Sequence, residues 1–531
     1  MDGNAFFEVR GGLDRLLAPE PGQPAQQTLN FTLAGQTTSS GDEPVMALRC
    51  ERVLRFLPGR RLVCLAQLDG VFVVVKWFFG EDSARYQLRE LKGCQEMLNS
   101  GLPTPAMLHA FRFDTPEDQP EPFTGYALIF EYLADAELLS DSKLQATPAL
   151  FTQLWRLLAR MHNAGVMHKD LHFGNLMCKG TELWLIDGDA VRRPRSDPLA
   201  RVQSVQGFVR LAAQTQNALS GEVLLSFWQL YREARDSALR AVSDSAVMRG
   251  YRRARRMRIH HYQAKTRRSC SAFESRRTVL GSVLLERAWL QSRAHAEGRE
   301  GREGREGRSE AQIGRALLSW LDALPGLMEE RDGRTGERQA GEALKLGNTA
   351  TVVAASFEGY PLIVKRYNNK SPLHRLRRLL VTDRGLNSWV FGHTLAFMGI
   401  ASAVPVALLR TRFAGPTYLV MRRLTGETLS PERFDTAAGR DGFELVSRKL
   451  CDLLGQLAAE GLVHGDTKAS NFVWDAAGQT LHLIDLDSMR MPATRRAQLH
   501  GQDIDRRRLL RNFAQAPDLQ RSLGSMLHNP D

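Results

Sequence analysis

The sequence predicts an α+β chain made of two tandem copies of one unit, each a β-rich N-lobe followed by a short helical C-lobe. Three recurring patterns predict it. A strand-like apolar run ends in lysine twice, VFVVVK at Lys76 and YPLIVK at Lys365. A histidine-led acidic motif occurs twice, HKDLHFGN over His168–Asn175 and HGDTKASN over His464–Asn471. A second short run ends in acid twice, LWLIDGD containing Asp187 and LHLIDLD containing Asp485. The lysines, the pair Asp170 and Asp466, and the pair Asp187 and Asp485 lie 289, 296 and 298 residues apart. The order is the same in both halves, and self-similarity at a nearly fixed offset is the mark of a repeated unit. A chain of 531 residues is also too long for one ordinary core.

Residues 17–44 are rich in Pro, Gly, Gln, Ser and Thr, so 1–48 is expected to be a flexible segment. The first unit is expected over 49–255 and the second over 256–531. VFVVVK and PLIVK are continuous β-branched runs, which suits buried strands. FTQLWRLLARMHNAGV and ELVSRKLCDLLGQLAAEGLV carry apolar residues at helical spacing and end near Gly. EGREGREGREGR at 297–308 has no apolar face and is expected to be a disordered insertion.

Composition narrows the classes. A hydrophobic fraction of 43% excludes large-scale disorder. Cys50, Cys64, Cys94, Cys178, Cys270 and Cys451 lack paired spacing, which argues against a disulfide framework or zinc site and fits a reducing cytoplasm. The first residues show no signal peptide, and no apolar run is long enough to span a bilayer. The net charge of +12 suits anionic partners. Nine Lys or Arg lie between Arg249 and Arg268, and a second cluster spans Lys365–Arg378. These read either as solvated helix faces or as patches for the anionic inner-membrane surface. No aromatic pattern is interleaved with them, so no nucleic acid is expected.

Phosphoryl transfer needs a cation on the ATP phosphates, oxygen ligands for Mg2+ and a carboxylate that positions the acceptor hydroxyl. Each half offers all three. Lys76 and Lys365 end the strand that carries a kinase's phosphate-binding lysine. Asp170 and Asp466 are the candidate acceptor-positioning groups. Asn175 and Asn471 follow five residues later, the interval found in H-R-D-x-x-x-x-N, and Asp187 and Asp485 stand where a kinase keeps its metal aspartate. His168 and His464 are read as structural. Glu90, with Glu96 as fallback, would orient Lys76, whereas the matching second helix has no acid and offers Ser388. Lys468 stands two residues after Asp466, where the first half has His172. The phosphate-covering loops LPGRRLVCLA and LKLGNTATVVAA carry one glycine each, Gly59 and Gly347. The expected fold is therefore a pair of atypical protein-kinase-like domains using ATP and Mg2+.

These residues resemble the lipopolysaccharide-kinase (Kdo/WaaP-like) family of Gram-negative bacteria. The second half carries it most fully, through LGNTATVVAASFEGYPLIVKRYNNKSPLHRLRRLL, WVFGHTLAFMGI, YLVMRRLTGETL, HGDTKASNFV and LIDLDSM; the first contributes LPGRRLVCLA, HKDLHFGNLM and IDGDAV. The resemblance implies phosphorylation of a heptose or Kdo hydroxyl on lipid A-core, at the cytoplasmic face of the inner membrane. Only 46 residues follow Asp485, which favours a non-protein acceptor. Two alternatives stay open: another small-molecule or protein kinase, and a pseudokinase pair acting as regulator or scaffold.

Overall fold

Seven strands of the computed structural model close into a barrel. They are β1 (Phe6–Arg10), β2 (Leu29–Gly35), β3 (Val45–Leu57), β4 (Arg61–Leu68), β5 (Val71–Phe78), β6 (Met107–Asp114) and β7 (Thr124–Glu131). Their order is β1-β2-β3-β4-β5-β7-β6, shut by a parallel pairing of β1 with β6. The period of two along a strand decides which side chains fill it. Leu62, Cys64 and Ala66 of β4 join Val73, Val75 and Trp77 of β5 in one buried cluster. Lys76 therefore lies on the opposite face of β5, with Phe78. Helix α1 (Ser83–Asn99) packs on that face, where Cys94 and Met97 meet Phe78, Leu128 and Phe130.

The structure describes every residue except 1–5, 11–28, 36–44, 58, 115–123, 195–200, 236–238, 240, 301–307, 330–342, 347–348, 369–382, 413–414, 435–436 and 529–531. The chain is mixed α/β and divides into two compact units, 1–215 with 219–254, and 216–218 with 255–531.

The rest of the first unit is mostly helical. Short strands β8 (Glu137–Leu138), β9 (Met167–His168), β10 (Leu176–Lys179), β11 (Glu182–Leu185) and β12 (Val191–Arg192) frame its acidic loops. Helices α2 (Asp141–Ala146), α3 (Ala149–Asn163), α4 (Arg201–Ala212) and α5 (Gly221–Ala234) supply the core, in which Trp155, Phe208, Trp228 and Tyr231 pack together. Helix α6 (Asp244–Lys265) follows, and the boundary between the units falls within it.

The second unit covers its sheet differently. Strands β13 (Phe273–Arg277) and β14 (Gly281–Glu286) precede two helices, α7 (Arg287–Glu300) and α8 (Glu310–Glu329). Strands β15 (Ala343–Leu346), β16 (Ala350–Phe357), β17 (Tyr360–Tyr367), β18 (Pro405–Thr411) and β19 (Thr417–Arg422) complete an open sheet in the order β13-β14-β18-β19-β17-β16-β15. Trp289, Leu290, Ile313, Leu317 and Leu321 bury Leu362 and Val364 of β17 against them. Lys365 and Tyr367 point to the other face, under Trp389 and Val390 of α9 (Arg384–Phe397). The helical part comprises β20 (Glu427–Thr428), α10 (Ala437–Ala459), β21 (Phe472–Asp475), β22 (Thr480–Leu483), α11 (Arg495–Arg511) and α12 (Pro517–His528).

Three expectations need correction. The segment 1–48 is not uniformly flexible, because β1, β2 and the start of β3 lie in it; the barrel uses their backbone pairing to close. Of 297–308, residues 297–300 continue α7, and 301–307 lie outside the described residues. The stretch Arg249–Arg268 is not wholly a free basic face. Arg255 is buried in a close ion pair with Glu460, Arg256 donates to the Pro492 and Met491 carbonyls, and Arg258 lies 4.3 Å over the Phe397 ring. Most of the Lys365–Arg378 cluster falls at 369–382, outside the described residues. No helix among the described residues is long and apolar enough to cross a membrane.

Each unit buries a histidine that stays neutral. Burial, aided by the Arg235 charge, pushes His162 down to about 3, and its Nδ1 lies 2.7 Å from the Tyr231 hydroxyl. Burial and Arg422 push His393 down to about 3. The unfolded chain protonates both near 6.5, so their contribution is complete above that pH and is lost as pH falls toward 3. At pH 5 each should cost about 2 kcal/mol. Denaturant midpoints at pH 7 and pH 5 should therefore diverge less in a His162→Gln/His393→Gln variant than in wild type.

Candidate active sites

In the first unit, β5 delivers Lys76 to Glu90 of α1, and the two form a close ion pair. The Glu90 side chain is fully buried. Its oxygens also accept the backbone N–H groups of Gly188 and Asp189, each at 3.1 Å. Glu90 thus ties the lysine strand, the helix and the acid loop together. Asp187 Oδ1 lies 3.8 Å from both Lys76 Nζ and an Arg61 guanidinium nitrogen. Asp187 adopts a positive φ of 74°, a conformation costly for a residue with a Cβ. His168 holds it there, with Nε2–H donating to the Asp187 carbonyl at 2.9 Å.

The charges follow this geometry. Burial alone would lower the Lys76 pKa, but Glu90 and Asp187 outweigh it and raise it. Burial raises Glu90. For Asp187, burial is outweighed by Lys76 and by the Glu90 contact, which hold its carboxyl well below the usual range.

The acidic loop lies alongside. Asn175 Nδ2 donates to the Asp170 carbonyl at 2.9 Å, and the Asn175 carbonyl accepts Ile186 N at 3.0 Å, immediately before Asp187. The Asp170 side chain is 77% exposed, with His172 Nε2 at 3.9 Å. Gly59 sits in a turn at φ 65°, closed by Arg60 N donating to the Leu57 carbonyl at 3.0 Å. Helix and acid loop touch through two glycines: a Cβ on Gly93 would run into the Gly188 carbonyl, and one on Gly188 would meet Glu90 O at 2.5 Å. Gly93→Ala should force them apart and destabilise the unit by roughly 1–3 kcal/mol, read from its denaturation midpoint.

In the second unit Lys365 Nζ donates to Asp485 Oδ1 at 2.6 Å and lies 3.7 Å from Asp487 Oδ2. Among the described residues no helix acid reaches it. Ser388, at the position expected for one, instead bonds the Tyr367 hydroxyl at 2.8 Å. Asp487 fills the gap from the acid loop: its side chain is buried and closely paired with Arg384. Asn387 fixes that loop through the Asp487 and Met489 carbonyls, at 3.0 and 2.9 Å. Burial opposes the Lys365 charge, but Tyr367, Asp485 and Asp487 raise its pKa; Lys365 in turn overcomes burial at Asp485 and lowers that one. Asp485 also has a positive φ, 60°.

The acceptor loop of this unit is more tightly held. Asp466 is ion-paired with Lys468 Nζ and accepts from Arg508 Nη1, each at 3.1 Å. Asn471 Nδ2 donates to the Asp466 carbonyl at 2.7 Å. Asp505 accepts the N–H groups of His464 and Gly465, at 2.8 and 2.9 Å. Gly347 lies outside the described residues.

The structure thus brings Lys76, Glu90 and Asp187 together, and Lys365 with Asp485, and sets Asn175 and Asn471 against the Asp170 and Asp466 backbones. Sequence reasoning assigned no role to Arg61, Asp487, Asp505 or Arg508. Asp487 did leave a signal, since LIDGD and LIDLD both place a second acid two residues after the first. Asp505 and Arg508 come from α11 with no local pattern.

Mg2+ fits the oxygen set of the first unit. Asp187 Oδ1 is a buried carboxylate oxygen with no hydrogen-bond partner, the kind of orphan a cation satisfies. Among the described residues no cluster of three or more His, Cys, Asp or Glu could hold a metal. Mg2+ needs no such cage, since it binds through one or two protein oxygens plus phosphates and water.

No family model and no curated protein matches the chain. Solved structures similar to part of it include WaaP in complex with acyl carrier protein, at a TM-score of 0.29 and 19% identity over 38% of this chain and 86% of that one. A choline/ethanolamine kinase family protein from Mesorhizobium loti gives 0.28 and 11% over 40% and 80%. WbdD gives 0.26 and 18% over 39% and 46%, so the match spans less than half of that protein. Likenesses at such scores carry no weight on function.

Proposed function

We propose that the protein is an ATP-dependent phosphotransferase with two tandem kinase-like units, acting on a heptose or Kdo hydroxyl of the lipopolysaccharide core in a Gram-negative bacterium. One observation carries the reading. In each unit a lysine, half-buried in the first and buried in the second, is held beside an aspartate at positive φ, next to an acidic loop braced by its own asparagine. Lys76 and Lys365 would take the α/β-phosphates, with Glu90 orienting Lys76 and the Gly59 and Gly347 loops covering the nucleotide. Asn175 with Asp187, and Asn471 with Asp485, would hold Mg2+, which when bound neutralises charge on the phosphate oxygens. Asp170 and Asp466 would position the acceptor hydroxyl and accept its proton as the oxygen bonds to the γ-phosphorus and ADP leaves. Lys468 and Arg508 keep the Asp466 carboxylate in place.

The sugar acceptor is supported by the sequence resemblance. A cytoplasmic location on the inner-membrane surface is supported by Arg249, Arg252, Arg253, Lys265, Arg267 and Arg268, which stay exposed. Each adds roughly 1 kcal/mol near anionic lipid. A second reading, with the second unit as a regulator, is favoured by the pairing of Lys365 to the acid loop alone. Thermal shifts of the full chain with ATP, with and without Mg2+, test the proposal. Wild type should be stabilised only with both, and Lys76→Met and Lys365→Met should each remove part of the effect. If Lys365→Met changes nothing, the regulator reading takes over; no shift at millimolar ATP refutes nucleotide binding.

A further inference from the structure

A glycine-rich loop binds phosphate through a row of backbone N–H groups. The β3–β4 turn of the first unit is poorly made for that. Pro58 has no N–H, and the N–H of Arg60 is already committed to the Leu57 carbonyl at 3.0 Å. What the turn offers instead is a pair of guanidinium groups. A cleft of about 270 Å³ opens beside it, lined by Leu57, Arg60, Arg61, Phe78, Tyr86 and Asp189. That is small for a whole nucleotide, given usual ligand pockets of roughly 300–1,000 Å³, and suits a polyphosphate tail.

The charge of the cleft is set by its neighbours. Asp189 is paired with Arg89 at 2.8 Å, so the carboxylate in the lining is neutralised. Arg61 reaches to 3.8 Å from Asp187 Oδ1, beside the oxygen suited to Mg2+. Arg60 is aimed by a neutral group: it donates to the Tyr86 hydroxyl at 2.6 Å and lies 5.4 Å over the same ring. A phenol orients a guanidinium without cancelling its charge. Planar five-donor forks match phosphate oxygens in pairs, which an ammonium cannot do.

We propose that Arg60 and Arg61 clamp the polyphosphate of a nucleoside triphosphate through their side chains, replacing the amide cradle of a glycine-rich loop. The inference rests on the reading of the first unit as a nucleotide site and names the groups that hold the phosphates. It belongs to the first unit only, since the second has Asn348 and Thr349 after its loop glycine.

The test is hydrogen exchange on the full chain titrated with ATP, inorganic tripolyphosphate or adenosine, in the presence of Mg2+. Protection is read at 185–191 in the first unit, with 483–489 in the second as internal control. In Arg60→Ala/Arg61→Ala, the ATP and tripolyphosphate concentrations for half-protection at 185–191 should rise at least about tenfold. Adenosine and the 483–489 response should be unchanged. Arg60→Lys/Arg61→Lys keeps charge and fold but loses the forks, and should fall between the two. If both variants match wild type, the clamp is wrong while nucleotide binding stands. If wild type itself shows no protection at 185–191 at millimolar ATP, the nucleotide reading of this unit fails and the clamp with it.

Discussion

Glu90→Ala should destabilise the first unit by roughly 3–5 kcal/mol while the second unit keeps its own midpoint. The substitution strands three donors at once. Lys76 loses its closest counter-charge in a buried setting, and the N–H groups of Gly188 and Asp189 lose their acceptors. A charge left with only the more distant Asp187, at 3.8 Å, and N–H groups left unmet, each cost more than their pairing contributes. The damage also runs to the site, because Asp187 immediately precedes the freed amides. Glu90→Gln keeps an acceptor oxygen without the charge and should cost less. Denaturant titration followed by hydrogen exchange resolves the two units in one experiment. A midpoint shift under about 1 kcal/mol in α1 would show that Glu90 is not the strut described.

Asp466→Asn should lower phosphoryl transfer by the second unit about 10²- to 10⁴-fold while leaving ATP binding intact. The amide cannot accept the hydroxyl proton. It also turns an N–H toward Lys468 or Arg508, which approach the two carboxylate oxygens from either side at 3.1 Å, so the side chain loses one of its two holding contacts as well as its basicity. Asp170→Asn lacks that second effect, since the Asp170 carboxylate is largely exposed and has no Lys or Arg ion pair among the described residues, with His172 Nε2 at 3.9 Å. Each variant should remove one phosphate from the core oligosaccharide, counted by mass spectrometry. A variant whose product equals wild type in amount and phosphate count assigns its unit to regulation.

The lysine strands and the acidic loops were readable because their constraint is local. A β-branched run must end at Lys76 or Lys365, and a fixed interval must separate Asp170 from Asn175 and Asp466 from Asn471. Glu90 was readable because helical spacing after a lysine strand leaves few acids to choose from. What was not readable depends on distant partners. The first barrel closes by pairing Phe6–Glu8 with Arg112–Asp114, and FFEVR is too short to stand out beside its Pro- and Gln-rich flank. The second sheet is covered by α7 and α8, and neither Trp289 and Leu290 of α7 nor the apolar stripe of α8 gives a hint that they cover an open sheet. Asp487 takes over from a missing helix acid only because the loop at 485–489 is pinned by Asn387. Arg508 meets Asp466 across 42 residues, a distance no local pattern encodes.

The most direct measurement is transfer of the γ-phosphate itself. Purified full-length protein is incubated with γ-labelled ATP, Mg2+ and dephosphorylated lipopolysaccharide core, and the label is followed. Wild type should place it on the oligosaccharide in a Mg2+-dependent manner, and the Asp170→Asn/Asp466→Asn variant should place none there while still binding ATP. Label that stays in ATP with wild type, or that reaches the oligosaccharide equally with the double variant, would contradict the assignment of these two aspartates to phosphoryl transfer.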